Sequence, residues 1–178
     1  KEGVKHLDLT KKWNIPDNFE VLYNDFLESH AAAAQALYSN HEEMKLTANW
    51  RVAIGMGNES VYENGFTFHP TYSIPYLPGS SLKGMTRHWA VAENLNKEEK
   101  DKYLNIFGNE QTENEKFQQG QIIFFDAFPT ELNQNMLQPD IMNNHYPDYY
   151  EGKKPPADWL SPRPIFFLTM KDVGFQFH

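Results

Sequence analysis

Arg51–Ala90 reads RVAIGMGNES VYENGFTFHP TYSIPYLPGS SLKGMTRHWA, and the rest of the chain is read outward from it. Apolar alternation at Trp50, Val52 and Ile54 predicts a strand, which Gly55-Met56-Gly57 breaks. A long polar-aromatic loop follows. The chain re-forms at Ile74-Pro75-Tyr76-Leu77-Pro78-Gly79 and enters a helix predicted over Met85–Leu95. Pro75 and Pro78 hold the approach extended, because each restricts the residue before it. Gly79 is expected to turn with positive φ, and Ser80 or Ser81 to cap the helix. Free N–H groups and the positive dipole end of a first turn make a seat for phosphate. Lys83 and Arg87 share one helical face and add two cations beside that seat. An ordinary capped helix with surface basic residues would carry the same letters, and spacing alone does not separate the two.

Two nucleotide-binding motifs are excluded. A dinucleotide fingerprint needs a third glycine where Ser60 stands, and a Walker A loop needs Gly-Lys-Ser/Thr where Leu82-Lys83-Gly84 stands.

With 178 residues the chain is long enough for one domain with a sizeable core, and neither an internal repeat nor a clean linker divides it. Hydrophobic residues make up 40% and aromatics 15%, which excludes a disordered chain. The absence of cysteine excludes disulfides and Cys-ligated zinc and fits a reducing cytoplasm, the expected compartment. No apolar run approaches the roughly 20 residues of a bilayer span, and Lys1–His6 lacks a secretory apolar segment. A formal net charge of −8 argues against a stand-alone nucleic-acid binder. It leaves room for a local cationic strip, since salt screens charges beyond about 10 Å. The charge therefore favours one subunit among basic neighbours.

The run IGMGNES…YENG…HPTYSIPYLPGSSLKGMTRH resembles the signature of the RAMP superfamily, the RNA-binding proteins of CRISPR effector complexes. It is most similar to the family of sixth-named RAMP subunits of type III-B effectors. Ile106-Phe107-Gly108, Gly120–Pro129, Asp140-Ile141 with His145-Tyr146 and Tyr149-Tyr150, and Pro164–Thr169 agree with that family. The resemblance covers roughly Leu46 to Phe177. It implies an α+β, ferredoxin-like (RRM-like) domain, an antiparallel sheet packed by helices, with long irregular insertions. It also implies a glycine-rich closing segment, absent up to His178, so the domain is expected to be C-terminally incomplete. The implied partners are guide RNA, target RNA and other RAMP subunits, with no cofactor and no membrane. The implied role is a non-catalytic subunit that binds the 3′ part of guide RNA and caps the backbone filament. Its expected RNA contacts are Lys83, Arg87, Ser80, Ser81 and Gly79 at the turn, with His69 and Tyr72 from the loop.

The expected organisation is a single RAMP domain: a polar lead-in over 1–16, an N-terminal helix over 17–43 and a ferredoxin-like core over 44–178. Asp17 or Asn18 caps the helix, and Phe19, Leu22, Tyr23, Phe26, Leu27 and His30 mark its amphipathic face. Ala31–Ala34 and Ala36 continue it with a narrow face suited to close packing, on its own domain before a neighbour. Met44–Ile54 is the first strand. Gly55–Ile74 is an irregular loop whose Tyr62, Phe66, Phe68 and Tyr72 suit base stacking; Phe66 and Phe68 could equally alternate inward and pack. Trp89 and Ala92 are placed on the core face of the central helix. Asn96–Lys102 reads as a charged turn, Tyr103–Gly108 as a short helix and Gln121–Phe128 as a strand. Thr130–Pro164 reads as irregular, Ile165–Thr169 as a strand, and Val173–His178 as the start of another.

Asp126, Asp140, His145 and Asp148 could be drawn as a metal site, but their spacing matches no local template, and no metal is expected. A buried histidine satisfied by a carboxylate is the commoner outcome for His145 near Asp140. His41-Glu42-Glu43 lacks a zincin's second histidine, and no Gly-X-Ser-X-Gly elbow occurs. Two alternatives stay open. One is an endoribonuclease using Glu59 or Glu63 with His69 as acid–base; the other is a protein–protein spacer without RNA contact.

Overall fold

The computed structural model describes residues 10–11, 13–61, 64–109, 116–144, 146–157, 159 and 162–178. Tyr62, Glu63 and His145 therefore lie outside the described residues.

Helix α1 (Phe19–Leu37) forms where the i, i+3, i+4 spacing places it. Asn18 holds the N-cap position without a side-chain cap; Phe19 N–H donates to Pro16 O at 2.9 Å instead. The helix stops at Leu37 rather than Glu43, where Tyr38 turns extended. Its inner face buries Tyr23 and Ala34 against the body of the same chain, and Phe19, Phe26 and Leu27 join Tyr23 around Ile74 and Phe128. The Tyr23 hydroxyl donates to Pro129 O at 2.5 Å, and burial pushes its pKa up, which keeps the donor proton in place.

Strand β1 (Met44–Thr47) is shorter than the expected Met44–Ile54. Residues 44–47 pair with β7 (Gly174–Phe177), whereas Val52 bridges to Met170 at the end of β6 (Arg163–Met170). The chain crosses from one ladder to another between these points, so one straight strand cannot serve both. β6 contains the expected Ile165–Thr169, and β7 forms where Val173–His178 was expected to begin a strand.

The central helix, α2 (Gly79–Ala92), starts six residues before Met85 and ends before Leu95. Leu82 and Ala90 supply its core face. Trp89 is 57% exposed and Ala92 is exposed too, contrary to expectation; at about 100° per residue Ala92 falls on the side away from Ala90, whereas Trp89 stays on Leu82's side, roughly two turns further along. The expected charged turn is helical: α3 (Leu95–Glu98) leads into α4 (Lys100–Phe107), which Gly108 ends at φ 73°. β2 (Gly108–Asn109) pairs with β3 (Gln118–Gln119).

Gln121–Phe128 is not a strand. Only β4 (Phe128–Pro129) joins a ladder, with β7, while Ala127 and Leu77 exchange bonds of 2.8 and 2.9 Å as an isolated bridge. Ile122 and Ile123 remain half exposed. β-Branched and aromatic residues suit a sheet surface, but a strand also needs a partner along its length, and this segment has one only at its end. The reverse holds for β5 (Leu137–Asn144), which lies inside the stretch read as irregular and pairs with β6 from Leu137↔Met170 to Asn144↔Arg163. Pro139 and Asp140 disguise it; a two-stranded hairpin leaves one edge unpaired, where proline is tolerated. α5 (Pro147–Tyr150) follows.

The architecture is α+β, with antiparallel ladders ordered β1-β7-β4, β2-β3 and β5-β6 among the described residues. One core cluster joins Leu82, Ala127, Met136, Leu137, Met170, Val173 and Phe175; the other lies under α1. Phe66 and Phe68 pack against the first. Of the lead-in, Trp13 also packs there, and Ile15 N–H donates to Gln134 Oε1 at 3.2 Å.

Candidate nucleic-acid interface

The turn into α2 is built by close approach rather than by a left-handed residue. Gly79 has no positive φ; a Cβ there would lie 2.0 Å from Phe124 O. Pro78 is the N-cap, with no side-chain cap from Ser80 or Ser81, contrary to expectation; the backbone closes the turn, with Ser81 and Leu82 N–H donating to Pro78 O at 2.9 and 3.0 Å. The Gly79 N–H donates to Asp126 Oδ1 at 2.7 Å. A carboxylate of the same chain therefore sits at the helix's positive end, where negative charge is stabilised. Asp126 also adds to burial in raising the Tyr76 hydroxyl.

Lys83 and Arg87 lie on one flank of α2, with Ser80 near them, and Met85 and Trp89 lie on the other. Lys83 is partly buried, and Arg87 is exposed and donates from Nε to Tyr103 Oη at 3.0 Å. Tyr103, on α4, steadies the guanidinium; nothing local in the sequence signals this, since the partners are 16 residues apart.

His69 and Tyr72 belong to an aromatic group under α1. His69 stacks on Tyr72 at 5.2 Å and meets Tyr76 and Phe128 edge-on at 5.7 Å, while Phe26 lies 4.8 Å from Tyr72. His69 Nδ1 accepts from Thr71 N–H at 3.3 Å and Tyr72 N–H at 3.4 Å. Tyr72 retains 38% exposure. The structure thus groups Gly79, Ser80, Ser81, Lys83 and Arg87 on one helix and places His69 and Tyr72 in a separate packed cluster.

The residues drawn as a metal site take different partners. Asp126 holds Gly79, Asp140 lies 3.6 Å from Arg51 Nε, and Asp148 lies 2.9 Å from Lys154. The Lys154 ammonium holds the Asp148 carboxyl below its ordinary pKa. Among the described residues no three His, Asp or Glu side chains converge to hold a metal. Arg51, unremarked in sequence, also donates to Pro139 O and Thr169 Oγ1, both at 3.2 Å, and so ties the start of the long loop to the β5–β6 hairpin. Asn64 adds a 3.1 Å bond to Phe166 O.

A family model described as the RAMP superfamily matches residues 45–171. The chain belongs to the RAMP superfamily. Within it, the chain is 30% identical to the CRISPR system Cmr subunit Cmr6 of Pyrococcus furiosus, over 98% of this chain and 67% of that protein. It is also 30% identical to the Cmr6 subunit of Saccharolobus solfataricus, over 76% of this chain and 44% of that one. Among solved structures, a chain in the cryo-EM structure of a type III-B Cmr-beta complex bound to cognate target RNA superposes with a TM-score of 0.68 at 26% identity. That match covers 98% of this chain and 58% of the other, so this chain spans little more than half of its structural relative. No described helix is long and apolar enough to cross a membrane.

Proposed function

We propose that this chain is a non-catalytic subunit of a type III-B CRISPR ribonucleoprotein that binds the 3′ part of guide RNA and caps the backbone filament. It is read as a single, ferredoxin-like RAMP domain working in the cytoplasm among other RAMP subunits. The observation that carries the reading is the α2 flank, where Lys83 and Arg87 stand beside Ser80, with Ser81 in the same first turn, and Tyr103 restrains the guanidinium. Two adjacent cations on a rigid helix suit successive phosphates, and phosphate contacts fix register while guide–target pairing reads sequence. Gly79 contributes by letting backbone segments approach, since its own N–H serves Asp126. His69 and Tyr72 contribute through the exposed part of Tyr72, held by the ring beneath it.

The test is a titration of labelled single-stranded guide RNA against wild type and the Lys83→Ala/Arg87→Ala double variant at several salt concentrations. Loss of both phosphate contacts should weaken binding and flatten the log–log salt slope by roughly 1.4, at about 0.7 per contact on single strands. Identical affinity and slope would place the phosphate seat elsewhere.

A further inference from the structure

A cleft between the lead-in and the start of β5 carries chemistry that the α2 flank does not use. Its volume is about 480 Å³, within the usual range for small-ligand sites. Lys11, Trp13, Asn14, Gln134, Asn135 and Gln138 line it, beside Leu137 and Pro139. In a chain with 24 acidic residues, none of the described lining residues is Asp or Glu. Beside the Thr10 hydroxyl, one ammonium, one indole and four carboxamides remain.

The wall is built rather than incidental. Gln134 acts as a fork on the lead-in backbone: Oε1 accepts from Ile15 N–H at 3.2 Å, and Nε2 donates to Ile15 O at 3.0 Å and to Asn14 Oδ1 at 3.4 Å. Trp13 is held by packing against the main core cluster and remains partly exposed. Gln138 Nε2 reaches Asn135 O at 3.4 Å, which ties the two carboxamide-bearing residues together. The same strand is braced from behind by Arg51, which donates to Pro139 O at 3.2 Å.

The residue types select among ligands. A divalent cation would find no carboxylate. An apolar ligand would strand the carboxamides, whose desolvation needs hydrogen-bonding partners. A saccharide could use the indole and the carboxamides but would leave the ammonium without a counter-charge. A nucleotide uses all three: the base stacks on an aromatic face, its edge offers donor and acceptor side by side as a carboxamide does, and its phosphate is anionic.

We infer that this cleft holds one unpaired ribonucleotide of the bound RNA, with its base on Trp13, its edge on Asn135 and Gln138, and its phosphate beside Lys11. This rests on the RNA-binding reading above and adds a second seat built from different elements.

The test uses anisotropy of a labelled single-stranded oligoadenylate RNA with wild type, Trp13→Ala, Trp13→Phe, Asn135→Asp and the Lys83→Ala/Arg87→Ala variant, each checked by thermal unfolding. Trp13→Ala should weaken binding roughly 5- to 150-fold without changing the salt slope, as loss of one base–aromatic stack does, and Trp13→Phe should restore most of it. Asn135→Asp replaces an exposed carboxamide without touching the core, so it decides the matter should Trp13→Ala unfold; it too should weaken binding several-fold. Wild-type affinity in Asn135→Asp, with loss only in the α2 variant, overturns the cleft and leaves the RNA reading standing. No binding by wild type overturns both. Quenching of Trp13 fluorescence by adenosine monophosphate, with strand affinity indifferent to Trp13→Ala, overturns the strand-bound nucleotide in favour of a free one.

Discussion

Gly79 shows how a residue's reason can be hidden from its neighbours in sequence. The Pro-Gly-Ser spacing marks a turn into a helix, and the turn is there. The cause is a backbone 45 residues away: Phe124 O occupies the space a methyl would need. Gly79→Ala should therefore cost about 1–3 kcal/mol, the usual penalty for forcing atoms into a packed site, read as a lower urea midpoint with an unchanged slope. A wild-type midpoint would mean that the 124–125 segment yields freely. The same distance hides Asp126, whose carboxylate takes the Gly79 N–H across 47 residues. Lys83 and Arg87 are the opposite case. Their side-by-side placement follows from helical spacing alone, so it was legible without any tertiary information.

Among the elements, α1 and α2 were legible because a helix closes its own hydrogen bonds and needs only a local pattern. Strands were less so. Gln121–Phe128 has the composition of a strand and lacks the ladder, while β5 has the ladder behind a proline and an aspartate. The hairpin's attachment to the long loop depends on Arg51, which spends two donors on Pro139 O and Thr169 Oγ1 and lies 3.6 Å from Asp140. Arg51→Met keeps much of the side-chain volume but leaves Thr169, buried at 2% exposure, and Pro139 short of a donor. It should cost about 1–3 kcal/mol and raise amide exchange through Leu168–Met170. Unchanged protection there would mean the loop is anchored by Asn64 instead. The cleft beside β5 escaped the sequence for a related reason: residues 11–14 and 134–138 meet only in the folded chain.

Over the whole molecule, three histidines join distant parts of the chain. His41 Nε2 and His178 Nδ1 lie 3.0 Å apart, and His30 meets His178 edge-on at 5.3 Å. Burial, then the charge of His178, holds the His30 pKa below its ordinary value against an opposing pull from Asp126. Burial also lowers that of His178, where Glu43 opposes and His41 and Lys45 assist. Unfolded histidines take up protons near pH 6.5, and these two resist until lower pH in the folded chain. The stability they contribute is thus present above about pH 6.5 and lost as pH falls through the lowered folded values. The thermal midpoint should fall between about pH 7.5 and about pH 5, and His30→Phe should flatten the fall. A midpoint insensitive to pH in wild type would rule out that linkage.

The order β1-β7-β4 places Gly174–Phe177 between its neighbours, although it is the last strand in the described chain. On the ribosome, residues 44–47 and 128–129 emerge first and have nothing between them to join. The sheet closes only after residues 174–177 clear the exit tunnel. Until then Met44 and Leu46 remain on an open edge while the local helices have already formed, since long-range pairing comes last. A premature stop just before residue 174 would therefore release a chain with its helices made and its sheet missing the middle, a form suited to capture by chaperones rather than to entry into a complex.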